Sequence, residues 1–196
     1  MKALLTLAVL ALSLSAQAQI SLGQPQYGGN GCPAGSASVS LTEDGKTMSV
    51  LFDSFKAEAG NTTGRRIDRS SCNLRVPINV PQGYSVALIG IDYRGFNAVP
   101  GSGAYTQFDA EYFYAGGRGP RFSKRFSGPQ SDEYLINNKL IATNLIWSPC
   151  GKQVIFGINA SATAMANSQM QQTMMIVDSA DITAGLLYQF SWRRCQ

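Results

Sequence analysis

Apolar and polar residues alternate with period two along most of the chain, the signature of half-buried β-strands. Val39 and Leu41 point one way, Glu43-Asp44-Gly45-Lys46 makes a tight turn, and Met48, Val50 and Phe52 return on a second arm. That pattern predicts a hairpin. Leu74, Val76, Ile78 and Val80 then alternate with Arg75, Pro77 and Asn79, where Pro77 points to an edge strand or an irregular ladder. After the turn Pro81-Gln82-Gly83, residues 84–93 are apolar on both faces and read as a central strand. Residues 105–114 set Thr106, Phe108, Ala110, Tyr112 and Tyr114 against a wetter face of Tyr105, Gln107, Asp109, Glu111 and Phe113. Further strands are predicted at 121–126, 134–140, 153–164, 174–178 and 186–193, the last with Tyr188, Phe190 and Trp192 on one face. Residues 162–175 have helical propensity, yet they lie between two strand patterns and read as strand, loop tip at 167–172, and returning strand. Nine to ten short strands separated by Gly, Pro and Asn predict an all-β, single-domain antiparallel β-sandwich, jelly-roll or immunoglobulin-like.

The N-terminus stands apart from this pattern. Lys2, an apolar run from Ala3 to Leu14, and Ala16-Gln17-Ala18 have the layout of a secretory signal peptide. The run of about 12 residues is short of the roughly 20 that span a bilayer. Residues 1–18 are therefore expected to be removed, leaving one domain over 19–196 in a secreted or periplasmic protein. No cysteine lies at the cleavage junction to carry a lipid, and no later stretch reads as a transmembrane segment.

Composition narrows the chemistry. Charged residues make up 14% of the chain and histidine is absent. Without Lys2 the net charge is about +3, which selects no class of partner. Cys32, Cys72, Cys150 and Cys195 all follow the export signal, so two disulfides are expected, and four cysteines allow three connectivities. The sequence leaves these open. The local one, Cys32 with Cys72 and Cys150 with Cys195, would close loops of about 40 and 45 residues, each worth roughly 4 kcal/mol. A zinc site would want a CxxC pair or histidines, and a catalytic thiol a histidine base; the chain offers neither. Carboxylates at Asp53, Asp68, Asp109, Glu111, Asp132, Glu133, Asp178 and Asp181 form no spaced calcium loop. Asp178 to Asp181 reads as a turn or cap. No metal or cofactor is expected.

Three groups of residues are candidates for function. Asp109 and Glu111, two apart on a strand, share a face and form the carboxylate pair that glycoside hydrolysis would use. Arg118, Arg121, Phe122, Lys124 and Arg125 interleave cations with an aromatic in an exposed loop running into a strand, suited to an anionic polymer or polysaccharide. Arg65-Arg66-Ile67-Asp68-Arg69 is a second basic cluster, in a loop with Asn61-Thr62-Thr63-Gly64, and would strengthen the first if the two met. Tyr84, Tyr93, Tyr105 and Phe113 are aromatics that a sugar-binding face would use. Asp92 is expected to pair with Arg94 or cap a turn. Asn61 and Asn159 open glycan-acceptor triplets, treated as incidental because the short signal ending in Ala-Gln-Ala points to a bacterial host.

Gly31-Cys32-Pro33, Trp147-Ser148-Pro149-Cys150-Gly151 and the closing Ser191-Trp192-Arg193-Arg194-Cys195 occur in that order across the chain. Together with Asn73 beside Cys72 and a turn at 93–95, they resemble a family of small secreted fungal and bacterial proteins of unknown function. The resemblance implies an exported, disulfide-containing β domain and transfers no catalytic residue. The expected function is a non-enzymatic binding or structural role at the cell surface, envelope or extracellular space, with a polysaccharide or another anionic polymer as partner and no nucleic acid. The alternative is a carboxylate-dependent hydrolase of glycans.

Overall fold

The alternation becomes two antiparallel sheets in a computed structural model that describes residues 20–101, 103–140, 145–177 and 186–195. The signal-peptide segment and the Asp178 to Asp181 turn lie outside the described residues. In chain order the strands are β1 (Ser21–Leu22), β2 (Gln26–Gly28), β3 (Ala37–Leu41), β4 (Thr47–Phe52), β5 (Lys56–Ala59), β6 (Ile67–Asn79), β7 (Tyr84–Val99), β8 (Tyr105–Tyr114), β9 (Arg121–Ser127), β10 (Gln130–Lys139), β11 (Val154–Met165), β12 (Thr173–Val177) and β13 (Leu186–Arg194). One sheet has six strands in the order β1-β6-β11-β8-β9, with β2 also on β6. The other has seven, β3-β4-β13-β7-β12-β5, with β10 on the remaining side of β7. Among the described residues no helix is long and apolar enough to cross a membrane.

The sandwich is the expected one, with two disulfides joining Cys32 to Cys72 and Cys150 to Cys195. It carries thirteen strands among the described residues rather than nine or ten. The additions are β1 and β2, too short to show a period, and β5. The sequence Lys-Ala-Glu-Ala of β5 favours a helix, but Ala57 and Ala59 are fully buried where β5 pairs with β12. Tertiary pairing overrides local propensity there. Strand β6 begins at Ile67, so Arg69 belongs to a strand and not to the expected loop. Pro77 does face an irregular ladder: its carbonyl accepts from Gly23 N at 2.8 Å, in the gap between β1 and β2. A missing N–H is tolerated on that side.

Two expectations on β7 are corrected. The expected turn at 93–95 is the middle of a 16-residue strand, where Gly95 is required because a Cβ would run into Ile176 O and the Tyr134 hydroxyl. Asp92 neither pairs with Arg94 nor caps a turn. It accepts from Asn137 Nδ2 at 2.7 Å and Gln189 Nε2 at 3.3 Å across neighbouring strands. The loop tip at 167–172 is built by Asn167, whose Oδ1 accepts from the backbone of Gln169 and Gln171. It carries the chain from β11 in one sheet to β12 in the other.

Aromatic rings fasten the sheets face to face. Tyr93 of β7 meets Phe108 of β8 and Phe122 of β9, with ring centroids 4.9 and 5.0 Å apart. Phe156 of β11 packs edge-on against Tyr188 and Phe190 of β13. Tyr188 is fully buried and its hydroxyl has no hydrogen-bond partner among the described residues. An unpaired buried hydroxyl costs about 1–3 kcal/mol, while the ring supplies the packing. Tyr188→Phe is accordingly expected to raise unfolding free energy by about 1 kcal/mol, read from the midpoint of a urea titration. A loss of stability would show that the hydroxyl is satisfied in solution.

Candidate functional site

Four neighbouring strands of the six-stranded sheet turn polar side chains outward, because each alternates them with residues buried in the core. Cross-strand register sets these side chains in rows. Arg125, Gln107, Thr163 and Arg69 form one row across β9, β8, β11 and β6. The next is Ser123, Asp109, Ser161 and Ser71, and the third is Arg121, Glu111, Asn159 and Asn73. Beyond them Phe113, Gly157 and Arg75 make a fourth. The middle rows line an open depression of about 620 Å³, within the range of ligand sites.

The side chains hold one another in place. Asp109 accepts from Gln107 Nε2 at 2.9 and 3.0 Å and from Ser123 Oγ at 2.6 Å. Glu111 pairs with Arg121, Oε1 to Nε 3.3 Å. Arg69 donates to Ser161 Oγ at 3.0 Å, and Arg75 donates both Nη atoms to Asn159 Oδ1 at 3.2 Å. Aromatic rings stand at both ends of the grid. The Arg125 guanidinium lies 4.0 Å from the Tyr105 ring centre, and that of Arg75 lies 4.9 Å from Phe113. Phe113 lies flat because Gly157 beneath it has no Cβ; one built there would meet the ring at 2.6 Å. A face of fixed amides, carboxylates and guanidiniums presents paired donors and acceptors to a hydroxyl-rich ligand.

The predicted residues divide on this geometry. Asp109 and Glu111 do share the face, at its centre. The basic segment does not act as one surface, since strand pairing alternates its side chains. Arg121 and Arg125 face the depression side, and Arg118 stays in the loop before β9. Phe122 turns inward and stacks on Tyr93 with an interplanar angle of 18°, so its ring is removed from the candidate ligand surface. Lys124 is exposed, but its ammonium lies 5.8 Å from the inward-side ring of Phe126. The second basic cluster contributes Arg69 alone, while Arg65 pairs with Asp68 at 2.7 Å. The two basic segments do not touch, since β11 and β8 lie between β6 and β9, but one arginine from each borders the depression. Tyr93 is core and Tyr84 half-buried, leaving Tyr105 and Phe113 on the face. Asn73, Asn159, Ser71 and Ser161 were not legible as candidates; their signal is small polar residues at i and i+2 in strands paired with each other. Among the described residues no group of three or more Cys, Asp or Glu side chains converges to hold a metal ion.

The cysteine motifs serve the fold. Ser148 Oγ accepts from Val86 N at 3.0 Å, Arg193 stacks on Trp147 at 4.1 Å, and Trp192 Nε1 donates to Gly45 O at 3.1 Å. Cys195 N donates to Gly83 O beside the second disulfide. These contacts fasten the last strand to β7 and the first hairpin.

An uncharacterized secreted protein of Arthroderma benhamiae is 27% identical over 169 residues, covering 86% of this chain and 69% of the relative. A solved structure of TmCBM61 in complex with beta-1,4-galactotriose aligns over 87% of this chain and 88% of its own, at 12% identity and a TM-score of 0.23, too low to support any inference. A family profile matches residues 18–195, and the chain belongs to that family, the domain of unknown function DUF4360.

Proposed function

We propose that this protein is an exported binding protein that holds a polysaccharide on the outer face of its six-stranded sheet. The observation that carries the reading is the four-strand grid of mutually fixed polar side chains around an open depression, with Tyr105 and Phe113 at the two ends of the grid. Sugar hydroxyls each donate and accept, and planar carboxylate, amide and guanidinium groups held in advance bind them at little ordering cost. Export rests on residues 1–18 acting as a signal peptide, on two disulfides, and on a secreted relative. The motifs around Cys32, Cys150 and Cys195 are read as the cysteine signature of the family.

Pull-down of the secreted protein on insoluble polysaccharides and on a glycan array tests the site. Asp109→Ala and Asn159→Ala are each expected to weaken the bound glycan about tenfold or more, since hydrogen bonds to charged groups contribute about 1.5–3 kcal/mol and neutral ones about 1. Lys124→Ala should leave it unchanged. Undiminished binding in both face variants would move the ligand elsewhere. Release of reducing sugar that disappears in Asp109→Asn and Glu111→Gln would instead select the glycan hydrolase.

A further inference from the structure

Four guanidiniums stand on this face, Arg69, Arg75, Arg121 and Arg125, against two carboxylates, Asp109 and Glu111. Arg69, Arg121 and Arg125 are exposed, Arg121 with 73% of its side chain in solvent. Each is anchored by a floor residue and keeps donors free: Arg69 uses Nη2, Arg121 uses Nε, and Arg125 uses Nε and Nη2 on Gln107 Oε1. Anchored guanidinium forks match the two oxygens of a carboxylate.

From these we infer that the polysaccharide is acidic, with its carboxylates bound by the three exposed arginines and its hydroxyls by Asp109, Glu111 and Asn159. This rests on the reading of the sheet face as a polysaccharide site. The register fixes the spacing. Arg125 and Arg69 end one row, three inter-strand steps or roughly 14 Å apart. Arg121 lies four residues along β9 from Arg125, again about 14 Å. The carboxylates of Asp109 and Glu111 lie between these corners and repel any anion placed over the middle of the site. Acidic groups of the ligand must therefore be spaced, with neutral hydroxyls between them. A nucleic-acid strand carries a phosphate on every nucleotide with no uncharged unit between and would bring phosphates against both carboxylates, so the same face discriminates against it.

The test uses the whole secreted protein with sparsely de-esterified polygalacturonate, whose free carboxylates are separated by neutral methyl-ester residues, and with its fully methyl-esterified form; the two share a backbone and differ in charge. Affinity electrophoresis at low salt is expected to show at least tenfold tighter binding to the acid form, a gap that narrows as salt screens the contacts. In the Arg69→Gln, Arg121→Gln, Arg125→Gln variant the gap should close while ester binding persists. The corresponding triple Arg→Lys variant keeps the charge without the fork, and is expected to retain part of the preference if folding limits the first. Equal binding of both polymers, weakened alike by Asn159→Ala, overturns the acidic ligand and leaves polysaccharide binding standing. A neutral glycan bound in place of both polymers does the same. Failure to bind any glycan overturns both readings, and equal competition by single-stranded DNA reduces the arginines to a general polyanion patch.

Discussion

Replacing Cys32 and Cys72 together by alanine is expected to lower unfolding free energy by about 5 kcal/mol, of which about 4 is the chain entropy of a loop spanning 40 residues. The remainder comes from location. Both cysteines are fully buried in the core cluster, so their loss also leaves a small cavity, at roughly 1 kcal/mol. The Cys150–Cys195 pair closes a loop of nearly equal length, 45 residues, but Cys150 is exposed and Cys195 half-buried. Its removal is expected to cost about 4 kcal/mol by loop closure alone. For a domain of this size the first double variant should melt about 10–20 °C below the parent. Differential scanning calorimetry under oxidising conditions separates the two. If the Cys150 and Cys195 variant is the less stable, burial of the first bridge contributes nothing and fastening of the last strand dominates.

The strands that the sequence made legible are those with one clean face. Residues 105–114 alternate without exception, and every second side chain of β8 is buried. What stayed illegible had a physical reason in each case. β5 consists of residues that favour helices and is strand because β12 lies beside it. The first half of β6, Ile67 to Asn73, carries Arg69 at a position that reads as loop; with Ser71 and Asn73 it forms the wet face of a strand whose other face holds Asp68, Ser70 and Cys72. Gly95 read as a turn because glycine usually marks one, whereas here it gives room for Tyr134 and Ile176 across the ladder.

The candidate site was half visible for the same reason. Two carboxylates at i and i+2 announce a shared face on their own strand, and Asp109 and Glu111 do share it. Which strands lie beside them is decided by sheet order, and nothing in the residues of β11 or β6 states that Asn159 faces Glu111 or that Ser161 faces Asp109. The basic segment erred in the opposite direction. Nine residues rich in Arg, Lys and Phe suggest one surface, but a strand sends neighbours to opposite faces, so Phe122 goes to Tyr93 while Arg121 goes to Glu111. Composition within a strand overstates a binding surface about twofold for that reason alone.

Raising the pH above about 10 is expected to unfold the protein cooperatively, because four buried phenols oppose ionisation. Burial pushes the hydroxyls of Tyr93, Tyr112, Tyr114 and Tyr188 above the ordinary tyrosine range, and for Tyr93 and Tyr188 the nearby phenols add to it. Below pH 10 these groups are protonated both folded and unfolded, so they leave stability independent of pH. Above it the unfolded chain releases the protons and the folded chain keeps them, and stability falls by about 1.4 kcal/mol per pH unit for each phenol. Four such groups give a slope of about 5 kcal/mol per pH unit just above pH 10, enough to exhaust a typical 5–15 kcal/mol within a few units. Urea titrations at successive alkaline pH values measure the slope, and the ultraviolet tyrosinate band reports when the phenols ionise. Of the eight tyrosines, exposed ones should titrate smoothly while Tyr93, Tyr112, Tyr114 and Tyr188 ionise only in step with unfolding. In Tyr188→Phe the slope should drop by about a quarter, to near 4 kcal/mol per pH unit. Smooth ionisation of all eight with the fold intact would mean that water reaches the ring layer between the sheets, and the closed aromatic core described for Phe156, Tyr188 and Tyr93 would have to be given up.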